Sequence, residues 1–150
     1  MKNLVDYLNS INTKDPMYKN HVLVVVKPGF QELLPMLTDE FIKNDYKVVK
    51  MTTKRLQLSE AEQLYKIHKK EDFYEDLCEY MASGVTTAFI LYKNTENIFN
   101  DFAKIKDKIR EEYGQSEMRN VLHSSDSYKN FTHEASVYFY NIHQIDLLEK

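Results

Sequence analysis

The sequence is poor in glycine, with only Gly29, Gly84 and Gly114 among 150 residues. A Walker loop or a dinucleotide-binding turn uses several glycines to bring backbone N–H groups close to a phosphate. Neither motif can be written with these three residues. Any phosphate that this protein binds is therefore expected to be held mainly by side chains.

Cysteine and metal-binding motifs are also scarce. Cys78 is the single cysteine, and it lies on the apolar face of a helical pattern, which predicts a core residue in a reducing compartment. There is no His-Glu-x-x-His pair and no acidic calcium loop, so a metal ion caged by protein ligands is not expected.

Long apolar runs and a basic excess are missing as well. No stretch approaches the ~20 apolar residues of a membrane span, and residues 1–6 lack the apolar region of a signal peptide. The formal net charge is -3 and lysines are interleaved with acids, so nucleic acid is not an expected partner. We expect a cytoplasmic protein with no membrane partner.

Hydrophobic patterns predict four strands interleaved with helices, as in an α/β sandwich. The run Val22 to Val26 is typical of a strand buried on both faces. The other predicted strands are Lys47 to Leu56, Thr86 to Tyr92 and Ala135 to Tyr140. Helices are predicted from Leu33 to Asn44, from a capping box of Ser59 and Glu62, from Asp72 to Ser83 and from Asn97 to Tyr113.

The stretch from Arg119 to Ser127 carries the most chemistry. His123 ends a short apolar run and is followed by hydroxyl and carboxyl side chains, among which Asp126 or Ser127 is a suitable helix N-cap. A helix N-terminus favours anions, so a phosphate could lie beside the imidazole. On these residues alone, an ordinary helix cap next to a polar loop histidine is the more common interpretation.

Several segments in order resemble the nucleoside diphosphate kinase family. Val24 to Pro28 resembles its first-strand motif, Leu64 to His68 with Phe73 and Tyr74 its nucleotide-clamp helices, and Tyr80 to Gly84 the segment before its third strand. Arg119 to Ser127 with Glu134 resembles its active-site signature. The similarity covers about Val22 to Phe139, and the last signature is the most specific.

The resemblance implies a ferredoxin-like fold with a four-stranded antiparallel sheet. It also implies transfer of a terminal phosphate from nucleoside triphosphates to nucleoside diphosphates. The nucleotide partners would include ATP, ADP and GTP, and Mg²⁺ would be held through the nucleotide phosphates. His123 would be the nucleophile that becomes phosphohistidine, Glu134 would orient its ring, and Ser125 would bond near that pair. Phe73 would stack on the base. Phosphates and sugar would be bound by Lys27, Tyr65, Arg110 and Asn120.

The sequence also departs from the family pattern. Gly29 follows the first motif where an acidic residue is usual, and Ser124 replaces the glycine after the histidine. Of the long loop that ends in Pro-Gly-Thr-Ile-Arg-Gly-Asp, only Ile109 and Arg110 can be matched. That loop supplies a second arginine, for which this sequence offers at most Lys104 or Lys106.

We predict three regions: an N-terminal extension over residues 1–20, a kinase-like domain over 21–140 and a C-terminal helical tail over 141–150. Because the shortened loop also packs between subunits in family hexamers, we expect a homo-oligomer smaller than a hexamer, with a dimer favoured. Two alternatives stay open at this point. One is a catalytically impaired nucleotide-binding or scaffold module of the same fold, and the other is an unrelated ferredoxin-like binding domain.

Overall fold

A computed structural model describes residues 20–139, and their centre is a four-stranded antiparallel sheet. The strands are β1 (His21–Val26), β2 (Lys47–Arg55), β3 (Val85–Tyr92) and β4 (Leu122–Ser124), in the order β2-β3-β1-β4. The predictions of β1, β2 and β3 are confirmed to within one residue at each end.

Five α-helices connect and follow these strands within the described residues. They are α1 (Leu34–Lys43), α2 (Leu58–Leu64), α3 (Tyr74–Met81), α4 (Ile98–Tyr113) and α5 (Tyr128–Tyr138). The predictions of α1, α3 and α4 are confirmed to within two residues. Helix α4 begins where Asn97 accepts a hydrogen bond from the Asn100 N–H, as an N-cap residue does.

Helices cover both faces of the sheet, which explains why β1 is apolar along its whole length. Val22, Val24 and Val26 point into one core, which α1 and α4 cover. Leu23 and Val25 point into the other core, which α2, α3 and α5 cover. The βαβ-βαβ arrangement of the four strands with α1 and α4 is the ferredoxin-like α+β fold, and the other helices form an added layer.

The predicted strand from Ala135 to Tyr140 is wrong. Residues through Tyr138 belong to α5, which begins after Ser127, where the Ser127 hydroxyl accepts a hydrogen bond from the Asn130 N–H. Val137 and the aromatic residues beside it favour a strand locally, but Phe131, Glu134, Ala135 and Tyr138 are buried at helical spacing. The fourth strand is instead the three-residue β4, which is too short to show an alternating pattern.

The predicted capping box at the start of α2 lies two residues too late. Glu60 accepts a hydrogen bond from the Gln57 N–H at 2.9 Å, and the helix begins at Leu58. Ser59 and Glu62 therefore lie inside the helix. The N-terminal extension apart from Asn20, and the C-terminal tail, lie outside the described residues.

Candidate active site

The side chains of His123 and Glu134 meet in a largely buried hydrogen bond. The Nε2 of His123 lies 2.7 Å from Oε1 of Glu134, and their side chains are 16% and 3% exposed. A carboxylate can only accept a hydrogen bond, so it requires that Nε2 carries the hydrogen. The other ring nitrogen, Nδ1, is then left with its lone pair.

Two secondary-structure elements bring this pair together. His123 lies in β4 opposite Val25 of β1, and Glu134 lies in the second turn of α5. The connection between the elements is fixed to β1, because Ser125 exchanges two hydrogen bonds of 3.0 Å with Leu23. The Ser125 N–H donates to the Leu23 carbonyl, and the Ser125 hydroxyl accepts from the Leu23 N–H. Ser125 thus anchors the turn that leads from His123 towards Glu134.

The backbone just before β4 is strained. Val121 has φ of 80°, and the Leu122 N–H donates to the Asn120 carbonyl at 3.0 Å, which makes a γ-turn with Val121 at its centre. Positive φ at a β-branched residue costs roughly 1–3 kcal/mol. The buried Val121 also accepts a 2.8 Å hydrogen bond from the Lys27 N–H. This bond holds the end of β1 beside the strand that carries His123.

Lys27 is a buried cation at the end of β1. It is 4% exposed, and its Nζ donates to the Met118 carbonyl at 3.1 Å. Burial, aided by the positive charges of Arg110 and Lys106, lowers the pKa of Lys27 to about 7. An anion that binds beside such a lysine raises its pKa again, so the amine takes up a proton and becomes an ammonium.

Arg110 lies in the last turn of α4 and reaches the strand of the histidine. Its Nη2 donates to the Leu122 carbonyl at 2.8 Å. Its Nε is buried without a hydrogen-bond partner among the described residues. A buried donor without a partner costs about 1–3 kcal/mol, so a ligand acceptor at this position would be favoured.

Tyr65 packs against the imidazole of His123. The two rings meet edge to face, with centroids 5.3 Å apart and an interplanar angle of 71°. Burial raises the pKa of Tyr65 well above its ordinary value, so its hydroxyl keeps its hydrogen. That hydroxyl is also buried and finds no hydrogen-bond partner in the described part of the chain.

A cleft of about 590 Å³ opens beside Lys27. Its lining consists of Lys27, Phe73, Leu77, Ser116, Glu117 and Met118. The side chain of Phe73 is 45% exposed and packs on one side against His68, with ring centroids 5.6 Å apart. An aromatic ring that is exposed at the rim of a cleft can stack on a flat ligand.

Asn120 lies beside the strained turn at Val121. Its side-chain N–H donates to the Glu117 carbonyl at 2.7 Å, while its Oδ1 is buried without a partner within residues 20–139. The structure thus gathers Lys27, Tyr65, Arg110 and Asn120 around the strand that carries His123. Phe73 lies farther out, at the rim of the cleft.

The described residues contain neither a cluster of metal-ligating side chains nor a membrane-spanning helix. No group of three or more His, Cys, Asp or Glu side chains in residues 20–139 could hold a metal ion. Over the same range, no helix has the length and apolar character needed to cross a membrane.

Comparison with known proteins identifies the family. The family model described as nucleoside diphosphate kinase matches residues 20–143. The chain belongs to the nucleoside diphosphate kinase family. It is 29% identical over 131 residues to the nucleoside diphosphate kinase of Helicobacter pylori strain Shi470, covering 81% of this chain and 96% of that protein. It is 30% identical over 129 residues to the enzyme of Chlorobaculum parvum, covering 78% and 91%.

Solved structures of the family share the fold. The Aquifex aeolicus nucleoside diphosphate kinase superposes with a TM-score of 0.73 at 24% identity, covering 80% of this chain and 94% of that one. The Encephalitozoon cuniculi enzyme gives a TM-score of 0.69 at 19% identity, covering 79% and 88%. The predicted ferredoxin-like α+β fold is therefore confirmed.

The structure shows where two of the departures from the family pattern lie. Ser124 is a buried residue of β4, paired with Val24 and extended in backbone, so no glycine is required there. Between α4 and β4 the chain needs only residues 114–121, which form no helix or strand. Arg110 lies in α4 itself and reaches the site directly from the helix.

Sequence reasoning missed two parts of this site. The Met118 carbonyl, which holds the Lys27 ammonium, is a backbone group that no residue pattern reveals. Lys106 was not separated from Lys104, although its spacing of four residues from Arg110 places both on one side of α4.

Proposed function

We propose that this protein is a nucleoside diphosphate kinase that works through a phosphohistidine on His123. The proposal is carried by the 2.7 Å contact between His123 Nε2 and Glu134 Oε1, because it leaves Nδ1 as the nucleophilic nitrogen. It is supported by membership of the kinase family and by Lys27 and Arg110, which bind the backbone just before His123.

The reaction would proceed in two steps. First, the Nδ1 lone pair attacks the terminal phosphorus of a nucleoside triphosphate, and the bond to the bridging oxygen breaks, so that the nucleoside diphosphate leaves with its electron pair. In the second step, a terminal phosphate oxygen of another nucleoside diphosphate attacks that phosphorus. The nitrogen–phosphorus bond then breaks, and neutral His123 is restored. Glu134 would stabilise the positive charge on the imidazole while the phosphoryl group is attached.

Lys27 and Arg110 would stabilise the charge on the phosphates during both steps. A well-placed donor to a transferring group is commonly worth roughly 10²- to 10³-fold in rate. The Tyr65 hydroxyl and Asn120 amide would bind the phosphate and sugar, and Phe73 would stack on the base. A bare aromatic face accepts any base, which fits exchange among ATP, ADP and GTP.

Magnesium would be bound through the nucleotide rather than by the protein. Mg²⁺ prefers oxygen ligands and usually keeps several waters, and the phosphate oxygens of the nucleotide would supply its other ligands. Glu117, an exposed carboxylate of the cleft lining, would accept a hydrogen bond from one of those waters. Bound there, Mg²⁺ would neutralise part of the phosphate charge.

Labelling with terminally labelled ATP tests the proposal. The wild-type protein should take up an acid-labile, base-stable phosphate and pass it to added nucleoside diphosphate. H123A should take up none. H133A is the matched control, because His133 contacts the Gln63 carbonyl on the outer helical layer, and it should be labelled like wild type.

An unlabelled wild-type protein, or an H123A variant that is labelled equally, would overturn this proposal. If such a protein still binds nucleotide, the alternative of a catalytically impaired binding module takes its place.

A further inference from the structure

Three cations lie near the strand that carries His123, and none of them forms an ion pair with a carboxylate among the described residues. They are Lys27 from β1 and Lys106 and Arg110 from α4. Within residues 20–139 the ion pairs that lysine or arginine forms are Lys54–Glu60, Lys93–Asp101 and Lys108–Glu40. None of the three cations takes part in one.

Lys106 reaches this group because of its place on α4. Residues four apart lie on the same side of a helix, one turn from each other, so Lys106 lies beside Arg110. The buried Ile105 and Ile109 turn this helix so that its neighbouring stripe, with Lys106 and Arg110, lies at the edge of the core. Lys106 is accordingly half-buried, whereas most lysines within residues 20–139 are exposed.

The charges that act on Lys106 come from several elements. Burial lowers its pKa, and Arg110 lowers it further. Asp107 of the same helix, Asp126 of the turn before α5 and Glu134 of α5 raise it. The charge of Lys106 acts in turn on Lys27. These couplings place Lys106 within electrostatic reach of both Lys27 and the pair formed by His123 and Glu134.

Lys104 has different surroundings, although it lies on the same helix. It is exposed, and its charge acts on Asp101, which already binds Lys93. Two residues along a helix are about 200° apart around its axis, so Lys104 points away from Lys106. It therefore provides a matched control.

We propose that Lys106 binds the phosphate chain of the nucleotide and replaces the second arginine of the missing loop. Like charges that share a half-buried site repel one another unless an anion lies among them. A di- or triphosphate carries three or four negative charges, which would offset the positive charges of Lys27, Lys106 and Arg110. This proposal rests on the proposed function in naming the ligand as a nucleotide, but it concerns binding alone.

Calorimetry with ADP and with inorganic tripolyphosphate tests the role of Lys106. K106M keeps the length of the side chain and removes its charge, and it should weaken binding of both ligands roughly tenfold, because a charge-assisted hydrogen bond to phosphate is lost. K104M should change binding by less than about twofold. K106R should restore most of the affinity, since its charge is retained. Thermal melts of all variants check the fold, and K106Q serves as a second neutral variant.

The outcomes separate this inference from the proposed function. Equal affinities of K106M and K104M, or no tripolyphosphate binding by the wild type, would overturn the role of Lys106 even if ATP labels His123. Weaker binding by K106M and K106Q in a protein that ATP does not label would uphold the role of Lys106 and overturn the phosphohistidine mechanism.

Discussion

The ring of Tyr65 holds the imidazole of His123 edge to face at 5.3 Å and leaves its own hydroxyl buried without a partner. A hydroxyl of this kind costs stability in the free protein and becomes useful when a ligand supplies the missing partner. The contact therefore predicts opposite effects on stability and on activity when the hydroxyl is removed.

Y65F should raise the free energy of unfolding by about 1 kcal/mol and slow phosphoryl transfer roughly tenfold, because the ring stays and the ligand contact is lost. Denaturant melts and single-turnover labelling measure the two effects. Y138F is the control, since the Tyr138 hydroxyl lies 2.8 Å from the Thr86 hydroxyl. It should lower stability, and a Y65F variant that behaves in the same way would show that the Tyr65 hydroxyl has a structural partner.

E134Q should keep the fold but slow formation of the phosphoenzyme roughly 10- to 100-fold. An amide can still orient the imidazole, but it does not stabilise the positive charge that develops on the ring. Single-turnover labelling between pH 6 and 8 measures the loss. E96Q, which changes an exposed carboxylate outside the site, should behave like wild type. Unchanged rates in E134Q would remove Glu134 from the mechanism.

Nucleotide binding should weaken as the pH rises through 7, because Lys27 has a pKa of about 7 in the free protein. Below pH 7 Lys27 is already protonated when the nucleotide binds. Above pH 7 it is mostly neutral, so nucleotide binding must be accompanied by uptake of a proton. Calorimetry of ATP binding at pH 8, in buffers of different ionisation enthalpy, should detect this uptake.

K27R provides the control for this pH dependence, since a guanidinium stays charged throughout the range. The titration of ATP itself affects both proteins equally, so the difference between them isolates Lys27. If K27R and wild type show the same pH dependence and the same proton uptake, Lys27 is charged before the nucleotide arrives.

Acid should destabilise the protein through His21. Burial lowers the pKa of this fully buried histidine from 6.5 to about 4, so the unfolded chain binds a proton at a higher pH than the folded one. The stability contributed by neutral His21 is present above pH 6.5 and is lost as the pH falls to 4, by about 3 kcal/mol in total. H21F, which can keep the stacking on Phe131, should flatten this part of the pH profile, whereas H133F should leave it unchanged.

We predict an assembly smaller than a hexamer, with a dimer favoured, because only residues 114–121 connect α4 to β4, whereas the resemblance implies a longer loop that packs between subunits. A stable interface needs on the order of 1,000 Å² of well-packed surface. Light scattering coupled to size exclusion at micromolar concentration measures the mass. A stable hexamer would show that the loop is dispensable. If deletion of residues 1–15 splits a dimer, the interface involves the extension and its Leu4 and Leu8; if the dimer survives, Ile142 and Leu148 of the tail are the next candidates.

The parts of the fold that could be predicted from sequence are those with strong local patterns. The run from Val22 to Val26 and the apolar spacing of α4 each specify an element without reference to the rest of the chain. The end of α5 could not be predicted in this way, because Val137 and Tyr138 favour a strand and only packing of Phe131 and Ala135 against β1 decides for a helix. The start of α2 differed because Glu60, rather than Glu62, reaches back to the helix start.

The candidate site was predicted from motifs, and its geometry was not. The family signature named His123 and Glu134, but their contact depends on the hydrogen bonds between Ser125 and Leu23, which no local pattern specifies. Sequence alone could not show whether Lys104 or Lys106 lies near Lys27 and Arg110, because the two lysines have the same chemistry. Only the orientation of α4 in the structure distinguishes them, since they occupy different sides of the helix.

Because β1 is buried on both faces, its hydrophobic pattern alone does not specify its register in the sheet. In a strand with one solvent-exposed face, a slip of one residue would expose the apolar side chains to water. In β1 the same slip would only move Val24 and Val25 into each other's hydrophobic core. The polar ends must therefore set the alignment, through the bond from the Lys27 N–H to Val121 at one end and the stacking of His21 at the other. Lys27, which we propose binds the phosphates, thus also helps to fix which residue of β1 lies opposite His123.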